Sequence, residues 1–267
     1  MLKKRLIACL LWNNGYIVQS MNFKHTNSVG NAITAVEFFH TWAIDEIIIL
    51  DVSRDETMRE KFFEIIRELS RRLFIPLTVG GKIQDTETMR RFFSLGADKI
   101  CVNTAAFRNP LLIENAAAMF GAQAVVVSID ARLNNGKYEV FVNQGSESTG
   151  LDPVAWAKTA EKRGAGEIFL TSIDQDGSKK GYDLELTKRV SEAVNIPVIA
   201  SGGVGEWQHF VDGIVQGKAD AVSAANIFHY FEQSTKKAKD YMLSKGIDVR
   251  KPAFYTIKTP RNPTYVV

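Results

Sequence analysis

The sequence predicts an α/β protein, a single (β/α)8 TIM barrel built from two half-barrel repeats. Three observations predict this fold: eight short apolar runs, helical patterns between successive runs, and an internal repeat. Alternation of buried strands with amphipathic helices is typical of a parallel sheet. The chain has 267 residues, which suits a barrel of this kind, since such barrels typically take about 250 residues.

The predicted strands are short, mostly apolar runs. They span 5–11, 46–51, 76–79, 99–102, 124–130, 167–171, 197–200 and 220–223. Between the second and third strands, residues 57–73 carry their apolar side chains on one stripe, as expected of a helix that lies on a sheet. Asp152-Pro153 predicts another helix start, because an N-cap residue precedes a proline at the first helical position.

The repeat relates the two halves of the chain. Leu11 and Asp130 lie 119 residues apart, and the glycine pairs Gly80-Gly81 and Gly202-Gly203 lie 122 residues apart. Each half contains four predicted strands, which indicates a barrel made of two half-barrels. Chance similarity between βα units is the alternative.

Two segments are longer than ordinary connections. Residues 12–30 and 131–151 follow the first and fifth strands, and loops of this size over a barrel mouth are usually lids or binding loops. A short hairpin is expected in the second, near Tyr138–Val142. We expect the barrel to span residues 1–250 and a C-terminal extension to span residues 251–267.

Composition excludes several classes of protein. The 33 Lys and Arg and 30 Asp and Glu are dispersed and give a net charge of +3, so neither a nucleic acid nor a membrane partner is predicted. Cys9 and Cys101 fall in apolar runs, as reduced packing residues would, and the four histidines lack metal-ligand spacing. With no signal peptide or spanning run, a cytoplasmic protein without metal or cofactor is expected.

Small and polar residues follow several predicted strands. Besides the two glycine pairs, they are Asn103-Thr104, Asp176-Gly177 and Ala225-Asn226. Because glycine lets backbone N–H groups approach an anion, the duplicated set predicts two phosphate sites facing each other across the barrel mouth. Such a pair of sites suits a bis-phosphate or another elongated anion. The alternative is that the glycines only make tight turns.

Four charged residues stand at the opposite ends of the strands. Arg5, Glu46, Lys99 and Glu167 each begin a strand, where interior side chains would meet at the bottom of the barrel. Two cations and two anions balance, as buried charges must. Spacing alone leaves open a structural ion-pair plug or side chains that point to solvent.

Near-verbatim stretches then indicate a family. They are Gly96-Ala97-Asp98-Lys99, Asn103-Thr104-Ala105-Ala106, Leu170-Thr171-Ser172-Ile173-Asp174 and Ile199-Ala200-Ser201-Gly202-Gly203. Over roughly residues 1–250 the chain resembles the cyclase subunit of imidazole glycerol phosphate synthase, HisF, a lyase of histidine biosynthesis.

The resemblance implies a partner and a path for ammonia. In that family a HisH-like glutaminase docks on the bottom of the barrel and releases ammonia, which passes a charged gate and travels through the core. The gate positions match Arg5, Glu46, Lys99 and Glu167, and Asp98 matches an acidic residue at the docking face.

The top of the barrel matches the family less well. The family uses two carboxylates as general acid and base, one from each half; Asp130 matches one, whereas Leu11 replaces the other. Four substrate-binding positions also differ: Gln19 stands for lysine, Lys82 for a phosphate-cradling glycine, Gln144 for serine, and Asn226 for serine just after an extra residue, Lys218. The matching residues are Asp51, Asn103, Thr104, Thr171, Asp176, Gly177, Ser201 and Gly203.

These differences leave three functional interpretations. Cys9-Leu10-Leu11, followed by asparagines, resembles a HisF-like branch associated with acetamidino sugars of bacterial surface polysaccharides. That branch would supply ammonia from a HisH-like glutaminase to a sugar amidotransferase acting on a nucleotide-linked sugar. The alternative is a histidine-pathway cyclase whose missing acid lies elsewhere, on Asp176 or Asp51. The third is a catalytically silent scaffold that activates its glutaminase.

Overall fold

The computed structural model describes residues 3–229 and 233–252. The strands of this part are β1 (Arg5–Asn13), β2 (Tyr16–Met21), β3 (Lys24–Gly30), β4 (Glu46–Asp51), β5 (Leu77–Gly80), β6 (Lys99–Val102), β7 (Val125–Asn134), β8 (Lys137–Val142), β9 (Glu147–Ser148), β10 (Glu167–Ser172), β11 (Val198–Ser201) and β12 (Ala221–Ala224). The α-helices are α1 (Ala32–Thr41), α2 (Arg59–Ser70), α3 (Thr86–Ser94), α4 (Thr104–Arg108), α5 (Leu111–Phe120), α6 (Pro153–Lys162), α7 (Leu184–Ser191), α8 (Trp207–Val215) and α9 (Ser234–Ser244).

Eight of these strands form a closed parallel barrel, as the sequence predicts. Their order is β1, β4, β5, β6, β7, β10, β11 and β12, and β12 pairs with β1 to close the circle. The observed strands begin and end within four residues of the predicted bounds. Hereafter, the bottom of the barrel is the end where these strands begin, and the top is the end where they finish.

Apolar side chains fill two regions. One lies between the barrel and its helices; α2, for example, buries Phe62, Ile66 and Leu69 completely. The other lies inside the barrel and consists of Ile7, Cys9, Ile48, Cys101, Val126, Phe169, Ile199 and Ala221. Asp152 caps α6 as predicted, accepting hydrogen bonds from the amides of Val154 at 2.9 Å and Ala155 at 3.1 Å.

The first long segment forms a hairpin, which was not predicted there. β1 runs to Asn13 and reverses at Asn14-Gly15 into β2, which pairs with β3. Asn14 and Gly15 both have positive φ, 49° and 98°, the conformation that a two-residue hairpin turn requires. The second half contains the same device, since β7 reverses at Asn135-Gly136 into β8. The hairpin predicted near Tyr138–Val142 is therefore confirmed.

The end of the described chain is tied to the bottom of the barrel. Val249 is buried and bridges to Lys4 in parallel register. The fully buried Lys239 ammonium lies 2.5 Å from the Asp45 carboxylate, which also pairs with Arg250 at 2.9 Å. The predicted extension, 251–267, lies outside the described residues apart from its first two. None of the helices in the described ranges has both the length and the apolar character needed to cross a bilayer.

Phe62 provides a test of how the α2 side of the barrel is held. Its buried ring lies with its centroid 5.0 Å from that of Trp12 and 5.8 Å from that of Phe92. We expect Phe62→Ala to lower the free energy of unfolding by about 3–5 kcal/mol, the usual cost of such a core truncation. Phe74→Ala is the control, because Phe74 is 76% exposed. Equal effects of the two substitutions on urea unfolding would contradict this packing.

Candidate functional site

The four charged residues at the bottom form a closed ring inside the barrel. Arg5 pairs with Glu46, with Nη1 and Oε1 2.7 Å apart, and its Nη2 donates to Glu167 Oε1. Lys99 Nζ completes the ring, at 3.1 Å from Glu46 Oε2 and 3.0 Å from Glu167 Oε2. Each cation contacts both anions, and each anion contacts both cations. The side chains therefore meet instead of pointing to solvent.

The ring is mostly removed from water. The side-chain exposures of Glu46 and Glu167 are 8% and 6%, and those of Arg5 and Lys99 are 24% and 19%. Burial lowers the pKa of Arg5, but the attraction and hydrogen bonds of Glu167 and Glu46 outweigh it, so the pKa is raised above its ordinary value. The guanidinium is therefore charged at any pH at which the protein folds.

Asp98 lies exposed at the bottom, one residue before Lys99 of the ring. Its carboxylate accepts a hydrogen bond from the amide of Leu77 at 2.8 Å. Asp45 and Asp220 each do the same for a neighbouring barrel strand. Asp98 thus has a structural role, because it satisfies a backbone amide at the start of β5. Its role in docking a partner stays a prediction.

An apolar column connects the ring to the top of the barrel. Above the ring, the interior holds the inner cluster, with the partly buried Leu11 and Leu50 packed against it. Three buried hydroxyl residues also lie there, Thr78, Ser128 and Ser223, each in register with a member of that cluster. Cys9, Cys101 and Phe169 from this column also line the cavity at the top. Burial raises the pKa of the Cys9 thiol to about 12, with smaller contributions from Asp176 and Asp130. Both cysteines are therefore neutral packing residues, as predicted.

The top of the barrel holds a cavity of about 600 Å³. All the residues predicted to bind phosphate line this one cavity: Gly81, Lys82, Asn103, Thr104, Asp176, Gly177, Ser201, Gly203, Ala225 and Asn226. Asp130, Leu11, Thr171 and Asp51 line it as well. The structure thus brings the predicted top residues together, whereas the ring lies at the other end.

The two glycine turns approach other backbone too closely for any side chain. A Cβ on Gly81 would lie 2.2 Å from the Asp51 carbonyl oxygen, and one on Gly203 would lie 2.0 Å from that of Gly181. Both residues also have positive φ, 93° and 100°. The glycines are thus required by the turn geometry, and the same turns present backbone to the cavity.

Asp130 is the carboxylate at the centre of the cavity. It lies on β7 and is 9% exposed. Asn103 Nδ2 donates to its Oδ2 at 2.7 Å, and Ser128 Oγ lies 3.4 Å from its Oδ1. The pKa of Asp130 is raised to about 7, chiefly by burial; the two hydrogen bonds act to lower it, and the charge of Asp176 acts to raise it. At neutral pH the group is therefore present both as an acid and as a base.

Leu11 occupies the position related to Asp130 by the repeat. Both residues stand where a barrel strand continues into a hairpin, paired with Val18 and Phe141 respectively. Leu11 lies beside Leu50 of β4 in register. This half of the cavity floor is therefore apolar, and the acid–base pair of the resemblance is incomplete at this position.

Two other carboxylates were predicted as replacements for the missing acid. Asp51 has a fully buried side chain, held by Ser53 at 2.5 Å and Arg59 at 3.4 Å. Asp176 accepts a hydrogen bond from the amide of Phe23 at 3.0 Å and acts electrostatically on Asp130. Of the two, Asp176 is the one whose charge acts on Asp130, and its role as the second acid stays a prediction.

The positions that differ from the family fall into two groups, those that line the cavity, which are Lys82, Gln144 and Asn226, and those that do not, which are Gln19 and Lys218. Lys82 has a φ of 53° and its ammonium lies 3.2 Å from the Asp55 carbonyl oxygen and 3.3 Å from Glu56. Gln144 and Asn226 line the cavity. Gln19 is buried on β2, and Lys218 lies in the connection between α8 and β12, at the bottom.

The sequence did not single out Phe23 and Arg59. Phe23 lines the cavity from the turn between β2 and β3, a hairpin that the sequence analysis did not predict. Arg59 begins α2, and its guanidinium donates to the Gly81 and Lys82 carbonyl oxygens. In the sequence, Arg59 is one of several cations in an amphipathic helical segment, a pattern that many surface residues share. Within the described residues no three His, Cys, Asp or Glu side chains are grouped as metal ligands.

Comparison with known proteins places this architecture in a family. The family model described as "Histidine biosynthesis protein" matches residues 5–234. The imidazole glycerol phosphate synthase subunits HisF of Clostridium botulinum strains Langeland and Okra are each 47% identical over 252 residues, and that of strain Kyoto is 46% identical. Each comparison covers 94% of this chain and 100% of the relative.

The raised pKa of Asp130 predicts a dependence of stability on pH. In the unfolded chain the carboxyl ionises near its ordinary pKa of 3.8, and in the folded protein near 7. Ionisation of Asp130 therefore lowers the free energy of unfolding progressively as the pH rises from about 4 to about 7. We expect Asp130→Asn to be more stable than the unmodified protein at pH 8, with the difference shrinking towards pH 5. Urea unfolding at several pH values measures this, and a constant difference would contradict it.

Proposed function

The chain belongs to the histidine biosynthesis protein family as a HisF-type member, and from this premise we propose that it is the ammonia-conducting subunit of a glutamine-dependent complex. Its partner would be a HisH-like glutaminase bound at the bottom of the barrel. The observation that carries the proposal is the closed ring of Arg5, Glu46, Lys99 and Glu167, set beneath an apolar column.

The ring is suited to gate a small polar molecule. Burying the four charged groups of the ring costs a large desolvation free energy, which their mutual attraction only balances. Apolar residues at these positions would stabilise the barrel equally well, so stability alone does not explain the ring. Each cation has two carboxylate partners, so moving Lys99 away leaves both glutamates paired with Arg5. Opening at Lys99 therefore costs less than dismantling the ring.

The column above the ring favours neutral ammonia over ammonium. Its side chains are uncharged: aliphatic and aromatic groups, two thiols with raised pKa values, and the hydroxyls of Thr78, Ser128 and Ser223. An ammonium ion would lose its hydration there without gaining an anionic partner, whereas desolvation of neutral ammonia costs less. The column ends at the cavity that contains Asp130.

The first candidate for the reaction at the top is the cyclase step of imidazole glycerol phosphate synthase. The relatives carry that name, which fits histidine biosynthesis better than acetamidino sugar formation. The paired glycine turns would hold the two phosphates of a bis-phosphorylated substrate. Asp130, with a pKa near 7, would exchange protons with it, and Asp176 would supply the second carboxylate in place of Leu11.

Leu11 supports the second candidate, delivery of ammonia to a separate acceptor. General acid or base catalysis typically contributes about 10²–10⁴ in rate, and leucine contributes none. A barrel that only delivers ammonia needs the ring and the column but no acid–base pair. The acceptor would then be a sugar amidotransferase that acts on a nucleotide-linked sugar of a surface polysaccharide, as the resemblance of Cys9-Leu10-Leu11 suggests.

The two candidates differ in what the purified chain does by itself. The assay is turnover of the bis-phosphorylated ribulosyl aminoimidazole substrate with saturating ammonium in place of the glutaminase. The first candidate predicts turnover that Asp176→Asn abolishes. The matched control is Asp174→Asn, because Asp174 is part-exposed and pairs with Arg132 outside the cavity. Absence of turnover in the folded, unmodified protein would refute the first candidate and favour the second.

Leu11→Asp restores the missing carboxylate and gives a second prediction. If the acid–base pair is incomplete, we expect ammonium-dependent turnover to rise by about 10²–10⁴, the usual contribution of one such group. The measurement is kcat at saturating ammonium. An unchanged kcat, together with strong turnover before the substitution, would show that another residue already fulfils the role of the missing acid.

Lys99→Ala tests conduction through the ring. We expect it to change the ratio of glutamine-dependent to ammonium-dependent turnover in the complex, because only the first route crosses the ring. Lys4→Ala is the control, since Lys4 lies at the same end and pairs with Asp220 outside the ring. If Lys99→Ala leaves both this ratio and the stimulation of the glutaminase unchanged, the chain is a scaffold that activates its partner.

A further inference from the structure

The two glycine turns of the cavity are anchored from behind in different ways. Gly81 and Gly203 are related by the internal repeat, and both line the cavity. The carbonyl oxygen of Gly203 accepts a hydrogen bond from the amide of Gly181 at 2.8 Å. That of Gly81 accepts one instead from Arg59 Nη1, at 3.0 Å. Neither Arg59 nor Gly181 lines the cavity.

These anchors fix the direction of the next amide. In a trans peptide the C=O bond and the following N–H bond point in opposite directions. Because the Gly81 carbonyl points to Arg59, away from the cavity, the N–H of Lys82 points towards it. Arg59 Nη2 also holds the carbonyl oxygen of Lys82 at 3.2 Å, which turns the N–H of Ile83 in the same way. Successive amides that converge on one space form an anion-binding concavity.

Arg59 is itself held firmly in place. Its Nη1 lies 3.4 Å from the fully buried carboxylate of Asp51. Its guanidinium carbon lies 5.0 Å from the ring centroids of both Phe63 and Phe92, a distance at which cation–π attraction operates. A guanidinium can span a carboxylate and two carbonyls at once because its five donors form a rigid fork, whereas an ammonium cannot.

We infer that Arg59 is a positioning residue for anion binding, which aims the amides of Lys82 and Ile83 at one phosphate group of the ligand. The inference rests on the proposed phosphate-binding function of the cavity. It assigns the two ends of an elongated ligand to differently built sites. The end at Gly81 depends on a side chain outside the cavity, and the end at Gly203 depends on backbone alone.

The test is titration of the purified protein with inorganic phosphate, followed by the backbone amide resonances of both turns. In Arg59→Lys the charge beside Asp51 is kept and the fork is lost. We expect phosphate affinity at Lys82 and Ile83 to fall about tenfold, the effect of losing one or two hydrogen bonds. Affinity at Gly203 and Val204 should stay within twofold, roughly the scatter of a distant surface change. Arg59→Gln should weaken the first site at least as much.

Arg91→Lys is the matched control. Arg91 stacks on the same Phe63 ring and pairs with Glu60, but it makes no hydrogen bond to the Gly81 turn. It should leave both phosphate affinities unchanged. Unaltered binding at Lys82 and Ile83 in Arg59→Lys would overturn the inference, and so would equal loss at both turns, since that indicates a purely structural role. Absence of phosphate binding at either turn in the unmodified protein would overturn the proposed anion site itself.

Discussion

The balance of charge inside the bottom of the barrel is the constraint on which the rest of the structure depends. Two glutamates can be buried there only because Arg5 and Lys99 each contact both of them. Removal of any one member would leave an unbalanced net charge in the interior. Between this plane and Asp130 the described interior holds only uncharged side chains, so a charged gate and a polar cavity are separated by a mainly apolar column.

The two halves of the barrel share one plan and have diverged at the cavity. In both, the first strand continues past the barrel rim and reverses at an Asn-Gly turn. In both, a glycine with positive φ packs on neighbouring backbone. The halves differ at the cavity. Asp130 in the second half corresponds to Leu11 in the first. The Gly81 turn is anchored by an arginine side chain, whereas the Gly203 turn is anchored by a backbone amide. A ligand would therefore meet two unlike ends.

Much of the fold could be predicted because buried parallel strands are apolar and short. The hairpin at 16–30 was missed because β3 is polar and exposed, although Asn14-Gly15 was a usable signal. The members of the ring and cavity were identified from strand ends and from the resemblance. Their closure into a ring, the burial that shifts the pKa of Asp130, and the contacts of Arg59 depend on distances across the barrel, which no local pattern encodes.

The central claim is that nitrogen reaches the cavity through the barrel. The most direct measurement uses the complex with its glutaminase, glutamine labelled with ¹⁵N in the amide, and an excess of unlabelled ammonium in the buffer. The isotope content of the aminated product shows which source supplied the nitrogen. Conduction past the ring of Arg5, Glu46, Lys99 and Glu167 predicts a product that carries mostly the glutamine nitrogen. A product whose isotope ratio follows the buffer would contradict it.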